Sequence, residues 1–156
     1  MRPARVRFKY PQSWTLAEAK AAPAGVAAFD LRQGSAATGL VGLIRVKVLS
    51  REHFAGATAD DLVKSWGAEM TEAGVELGKP AYDADLEPEA GFAGGCYLLI
   101  PARVGGQADE ARLLVLSTRD AWVVVSMLGP VRERGAMEWM VVKRAFEVVH
   151  DTLRVE

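Results

Sequence analysis

The chain holds a single cysteine, Cys96, among its 156 residues. No disulfide can form within it, so its stability has to come from packing. It has two histidines, His53 and His150, each beside one acid (Glu52 and Asp151). A zinc centre needs three or four ligands at suitable spacing, and two separated His–acid neighbours do not supply them, so no metal is expected. Charge of one sign is also missing. Nineteen Lys and Arg face twenty Asp and Glu, a formal net charge of −1, which leaves no global field for nucleic acid or an anionic membrane. No run approaches the about 18 apolar residues of a membrane span. The opening MRPARVRFKYPQSW is basic but has no apolar stretch behind it, unlike a secretory leader. These absences lead us to expect a cytoplasmic protein, or a periplasmic one if the sequence is the mature part of an exported chain. Without repeats, low-complexity tracts or a Pro/Ser linker, one domain is expected over 1–156.

The apolar half of the composition is concentrated in one stretch, 108–130. Leu113 to Leu116 is apolar at four successive positions and Ala121 to Val125 at five. A strand with one wet face alternates; a strand covered on both faces reads as a continuous apolar run. The stretch therefore predicts a hairpin, turning at 117–120, at the centre of a doubly covered sheet. Before it, strands are expected at 6–10, 26–31 and 40–49, with a loop at 33–39 and Gly42, Ile44, Val46 and Val48 sharing a face opposite Arg45 and Lys47. After 76–86, which is weakly patterned, Gly91 to Gly95 reads as a bend or bulge, because paired glycines in a strand usually mark one. Residues 96–100 form a further strand, and Pro101 and Gly129–Pro130 are read as places where strands leave the ladder.

Two helices are expected. Thr58 followed by Asp60 and Asp61 suits an N-cap with acids in the first turn. Leu62, Val63, Trp66, Met70 and Ala73 recur at helical spacing, and Gly74 marks the stop. The second helix, 132–153, carries Met137, Val141, Val142, Ala145, Phe146, Val148 and Val149 on an arc near half its circumference, with Trp139 at the edge. An ordinary surface helix needs an apolar stripe only a little wider than about 100°, so this helix should be deeply nested or touch a second surface. The order β-β-β-α-β-β-β-β-α, with short glycine-containing connections, points to an α+β fold. We expect a three-layer α/β/α sandwich: an antiparallel central sheet of six or seven strands with one helix on each face.

Phe8, Tyr10, Pro11 and Trp14 resemble an opening F-x-Y-P-x-x-W. Helix 59–73 ending in glycine, the run Ala121, Trp122, Val123, Val124, Val125, and the close from Phe146 to Leu153 also resemble the PsbP-like superfamily. That group includes the photosystem II extrinsic protein, a Ran-binding import factor, DcrB-like bacterial proteins and chaperones of type VI secretion effectors. The resemblance covers nearly the whole chain and implies the same sandwich with mostly non-enzymatic binding and assembly roles.

Chemistry-bearing residues add little to this. Cys96 opens an apolar strand and reads as a packed thiol. Asp83, Asp85, Glu87, Glu89, Asp109 and Glu110 lack the spacing and glycine of a calcium loop and read as solvated strand edges. The glycine pairs 94–95 and 105–106 are not followed by a lysine and a helix, so they form no phosphate loop, and no nucleophile elbow is present. Arg2, Arg5, Arg7 and Lys9, interleaved with Phe8 and Tyr10, read as the charged face of a strand rather than a nucleic-acid arm. No catalytic residue, cofactor or metal is therefore expected. Of the four tryptophans, Trp66 and Trp122 read as core. Trp139, with Phe146 on the same helix and Trp14, are the candidate partner-binding residues, because tryptophan is enriched at interface hot spots. The function expected is non-enzymatic: a binding, assembly or chaperone-like module for a protein or apolar peptide segment, with a homodimer contact as one use of the surplus apolar surface. The alternative is a small-molecule carrier or enzyme of helix-grip type with an apolar cavity. Against it, three strands precede the first helix, where a helix-grip fold places helices after the first strand.

Overall fold

In the computed structural model of the protein, which describes residues 5–19, 22–35, 39–89 and 91–156, the elements follow in the order β1 (Val6–Arg7), β2 (Thr15–Glu18), β3 (Val26–Ser35), β4 (Gly39–Ser50), α1 (Ala59–Glu72), β5 (Val75–Leu77), β6 (Tyr82–Leu86), β7 (Gly94–Val104), β8 (Gln107–Ser117), β9 (Ala121–Pro130), α2 (Ala136–Thr152) and β10 (Arg154–Val155). Among the described residues the main sheet has eight strands in the order β2-β3-β4-β9-β8-β7-β5, with β6 also pairing β7. All its pairs are antiparallel. It is built from two meanders, β2-β3-β4 and β7-β8-β9, joined along β4 and β9, where Val46 lies opposite Val125.

The expected hairpin is β8 and β9, and it lies at the sheet centre as its doubly apolar pattern requires. Leu113, Val115, Val123 and Val125 are fully buried. Alternate residues feed two clusters. Leu31, Ile44, Val46, Leu114, Val123 and Val125 meet α2 through Val142, Ala145, Phe146 and Val149. Leu49, Leu98, Ile100, Leu113, Val115 and Val124 lie on the other side with Leu62, Trp66 and Met70 of α1. The architecture is therefore the α/β/α sandwich with one helix per face. Full burial of each such side chain is worth about 1.5–3 kcal/mol, so the central pair anchors both layers.

Local chemistry sets the helix bounds. Thr58 Oγ1 accepts from the Asp61 backbone N–H at 3.2 Å, and Asp61 Oδ2 accepts from the Thr58 N–H at 2.9 Å. This reciprocal capping box starts α1 where the sequence places it. The second helix begins later than expected, at Ala136, because residues 131–135 form turns in which Arg134 and Gly135 donate to the Val131 and Arg132 carbonyls.

Several strand expectations change. The first strand is two residues long and pairs with β10 rather than joining the main sheet. Strand β2 had no apolar signature, since all four of its residues are exposed. Residues 36–38 of the expected loop lie outside those described, and β3 and β4 extend to either side of them. Of the bend or bulge expected over 91–95, the structure shows a turn at Gly91, where Glu89 and Phe92 bond each other's backbone, and Gly94 and Gly95 start β7 in regular register with Ser117 and Leu116. Gly95 has φ +155°, and a Cβ there would lie 1.8 Å from the Val115 carbonyl oxygen, so close backbone approach explains the glycine. Pro101 stays within the ladder, opposite Glu110. Its carbonyl accepts from Gly78 at 2.8 Å, and in a strand the N and C=O of one residue point the same way. The missing N–H therefore faces the gap between β5 and β6, and no bond to β8 is lost. Strand β9 likewise runs through Gly129 to Pro130.

Candidate functional site

The two helices are not stacked over the same strands. Helix α1 packs on β5 and β8, and α2 on β9 and β4. Each face is thus half covered, and the uncovered halves lie diagonally opposite. On the α1 face the open half lies over β3, β4 and β9, and there a cleft of about 610 Å³ is present. Its floor and walls are Val26, Ala28, Leu49 and Val124 from the sheet, Leu62 and Trp66 from α1, and Phe54 from the connection before the helix. Strand alternation puts these sheet residues on one side: Val26 lies opposite Leu49, and Ala28 opposite Lys47. The buried Trp66 indole N–H has no hydrogen-bond partner.

The rim is charged and paired. Arg45 Nε and Nη2 donate to the two Asp30 oxygens at 2.7 and 3.0 Å. Lys47 Nζ donates to both Glu69 oxygens at 2.6 Å, which ties β4 to α1. The hydrogen bond to Asp30 raises the Arg45 pKa further, against the opposing effect of burial, so this cation stays charged at any working pH. Sequence reading placed Arg45 and Lys47 on the wet face but missed their partners. The available signal was Asp30, the one polar residue of the run 26–31.

On the α2 face the open half lies over β6, β7 and β8. Two smaller hollows of about 250 Å³ each flank α2 there. Tyr97, Leu86, Phe146 and His150 line them, and Arg112 donates to the Tyr97 hydroxyl at 2.7 Å.

The residues singled out from sequence fall in different places. Trp14 and Phe146 are 4% and 3% exposed and belong to the α2-side core. Both rings are packed in the core, and Phe146 also lines one of the two smaller hollows. Trp139 is half-buried. Its Nε1 donates to Glu110 at 2.8 Å, and Lys143 and Arg132 stand 5.1 and 5.7 Å from its ring. The structure does not bring the three together into one surface. The arc of α2 is narrower than expected: Met137, counted within it, is 76% exposed, and its neighbour Met140 is 63% exposed. Trp66 and Trp122 are core.

Glu52 and His53 are exposed in the loop before α1, and His150 Nδ1 lies 3.6 Å from Asp151. Asp83, Asp85, Glu87 and Glu89 are exposed. Asp109 and Glu110 are not the solvated edge they were expected to be. Asp109 is buried against Arg134, which also bonds the Ala108 carbonyl. Glu110 holds Arg112 and the Trp139 indole. Burial raises the Asp109 pKa, against the pull of Arg134. Burial also raises the Cys96 thiol, with Asp83 adding to it, so the thiolate is disfavoured at neutral pH. Of the basic arm, Arg2 lies outside the described residues, Arg7 pairs with Glu156, and the Lys9 backbone N–H donates to Thr152. Among the described residues no three His, Cys, Asp or Glu side chains gather into a metal-holding group, and no helix is long and apolar enough to cross a membrane.

No protein-family profile and no curated protein matches the chain. Solved structures do. Cyanobacterial PsbP (CyanoP) of Synechocystis sp. PCC 6803 superposes with a TM-score of 0.59 at 18% identity, covering 100% of this chain and 94% of that one. LpqN of Mycobacterium tuberculosis, described as involved in cell envelope biogenesis, gives 0.55 at 15% identity, with 97% and 83% covered. A protein of Bacteroides thetaiotaomicron VPI-5482 gives 0.52 at 16% identity over 97% of this chain but 45% of its own, so the chain spans under half of that protein's length. The chain has the PsbP-like fold. At these identities the likeness is one of fold alone.

Proposed function

We propose that this protein is a non-enzymatic binding module and that it receives an apolar group of its partner in the cleft between α1 and strands β3, β4 and β9. The cleft carries the reading. Its volume of about 610 Å³ lies in the range of sites that enclose small ligands, which are mostly apolar with a few placed polar groups. The expected protein or peptide partner would insert a few side chains there; a carried small molecule would fill it. A PsbP-like fold fits a binding role but does not specify one.

A neutral solvatochromic dye such as Nile red reports on the site directly. One dye should bind per chain with enhanced, blue-shifted emission. Ser65 lines the cleft from the exposed side of α1, so Ser65→Trp should fill it without entering the core. The variant should melt like the parent and lose most of the dye signal. Undiminished dye binding by a folded Ser65→Trp would exclude the cleft as the binding site.

A further inference from the structure

The cleft's charge arrangement narrows what it can hold. We infer that its ligand is an uncharged amphiphile: an aliphatic body lying on the floor, with a non-ionic polar head, such as an ester, amide or hydroxyl, at the rim. This rests on the proposed function's placing of the site. Among the described residues lining the cleft, two cations face two anions, and each cation is already held by both oxygens of its carboxylate: Arg45 by Asp30 and Lys47 by Glu69; the exposed Arg32, outside the lining, also reaches Asp30 at 3.7 Å. An ionic head would meet no net opposite charge. A cationic head would have to displace Arg45 or Lys47 to gain a carboxylate, leaving a partly buried charge alone, and an anionic head taking the remaining Arg45 donors would sit beside Asp30 and meet its repulsion. A neutral head needs no such exchange. A guanidinium has five N–H donors, and Arg45 spends only Nε and one Nη2 bond on Asp30, so it can still donate to a carbonyl or hydroxyl oxygen.

The floor argues against an extended peptide. It is the face of a sheet, not its edge, so its backbone groups are bonded within the ladder and offer nothing to an incoming main chain. An extended segment laid on Val26, Ala28, Leu49 and Val124 would bury N–H and C=O groups without partners, at about 1–3 kcal/mol each. A helix satisfies its own backbone, and the peptide probe below tests that case. An aliphatic chain brings no unsatisfied groups.

The test uses the full chain and displacement of the bound dye by probes with one common decyl-length tail, kept below their micelle thresholds: monodecanoyl glycerol, decanoate and decyltrimethylammonium, with a short apolar peptide as the fourth. Monodecanoyl glycerol should bind at least tenfold tighter than either ionic probe, with little dependence on salt. Affinity should fall about fourfold for each methylene removed from its tail. Lys47→Gln leaves Glu69 without its cation and should move the preference toward the cationic probe several-fold. Equal or tighter binding of an ionic probe, or a Lys47→Gln preference that does not move, would overturn the neutral-head inference. Displacement by the peptide and not by the glyceride would overturn it in favour of a peptide. Failure of all four probes would overturn it too. In each case dye binding that remains sensitive to Ser65→Trp would leave the cleft standing as the site, so the two failures are told apart.

Discussion

Asp61 shows how a single side chain links local sequence to stability. It accepts the Thr58 backbone N–H, and this bond, followed by the one with the Thr58 side chain, lowers its pKa below the ordinary carboxylate range. A carboxylate depressed in the folded state stabilises fully above its unfolded pKa, and that contribution is lost as pH falls through the depressed value. Asp61→Asn should therefore weaken the protein at neutral pH, and the difference from the parent should close in acid. Urea unfolding at a series of pH values measures this; a gap that stays constant with pH would show the charge to be irrelevant. Asp109 has the opposite sign. Burial raises it, so its ionisation costs stability as pH rises from the ordinary range through the raised value. The Thr58–Asp61 box was legible because its partners are three residues apart. Asp109 and Glu110 were misread as solvated because Arg134 and Trp139 arrive from more than twenty residues away, beyond any local pattern.

At the scale of elements, two glycines seat α2. Gly42 on β4 and Gly129 on β9 both face that helix. A Cβ at Gly42 would lie 2.5 Å from Val142 Cγ2, and one at Gly129 would lie 2.9 Å from Val142 Cγ1. Adjacent strands thus form a notch that receives one valine and lets the helix approach the sheet closely. Gly42→Ala overpacks the notch and should cost about 1–3 kcal/mol. Val142→Ala should relieve the clash, so the double variant should cost clearly less than the sum of the singles. Denaturant melts of all four proteins decide it, and simple additivity would mean that the notch does not exist. In the sequence Gly42 could be assigned a face, and Gly129 looked like a strand break. Their pairing could not be seen, because it depends on β4 meeting β9 across an intervening helix and four strands.

The whole molecule should be most stable at its centre. Strands β8 and β9 are paired on both sides, and their residues 113–116 and 121–127 are buried whichever face they point to, whereas β2 is an exposed edge and β1 pairs with β10 alone. Amide exchange should be slowest at 113–116 and 122–127 and fastest at 6–7 and 15–18. Equal protection of β2 and β8 would contradict this layering. The apolar periods of the sequence determined by themselves which strands are doubly buried, where the two helices lie and that they take opposite faces, because burial imposes period and run length residue by residue. Only the tertiary structure decided that the helices sit off-register across the sheet, leaving a half-open face beside α1 with Asp30, Arg45, Lys47 and Glu69 paired at its rim. Helix placement over a sheet is set by contacts between distant segments, such as Val142 in its two-glycine notch, and such contacts leave no period along the chain.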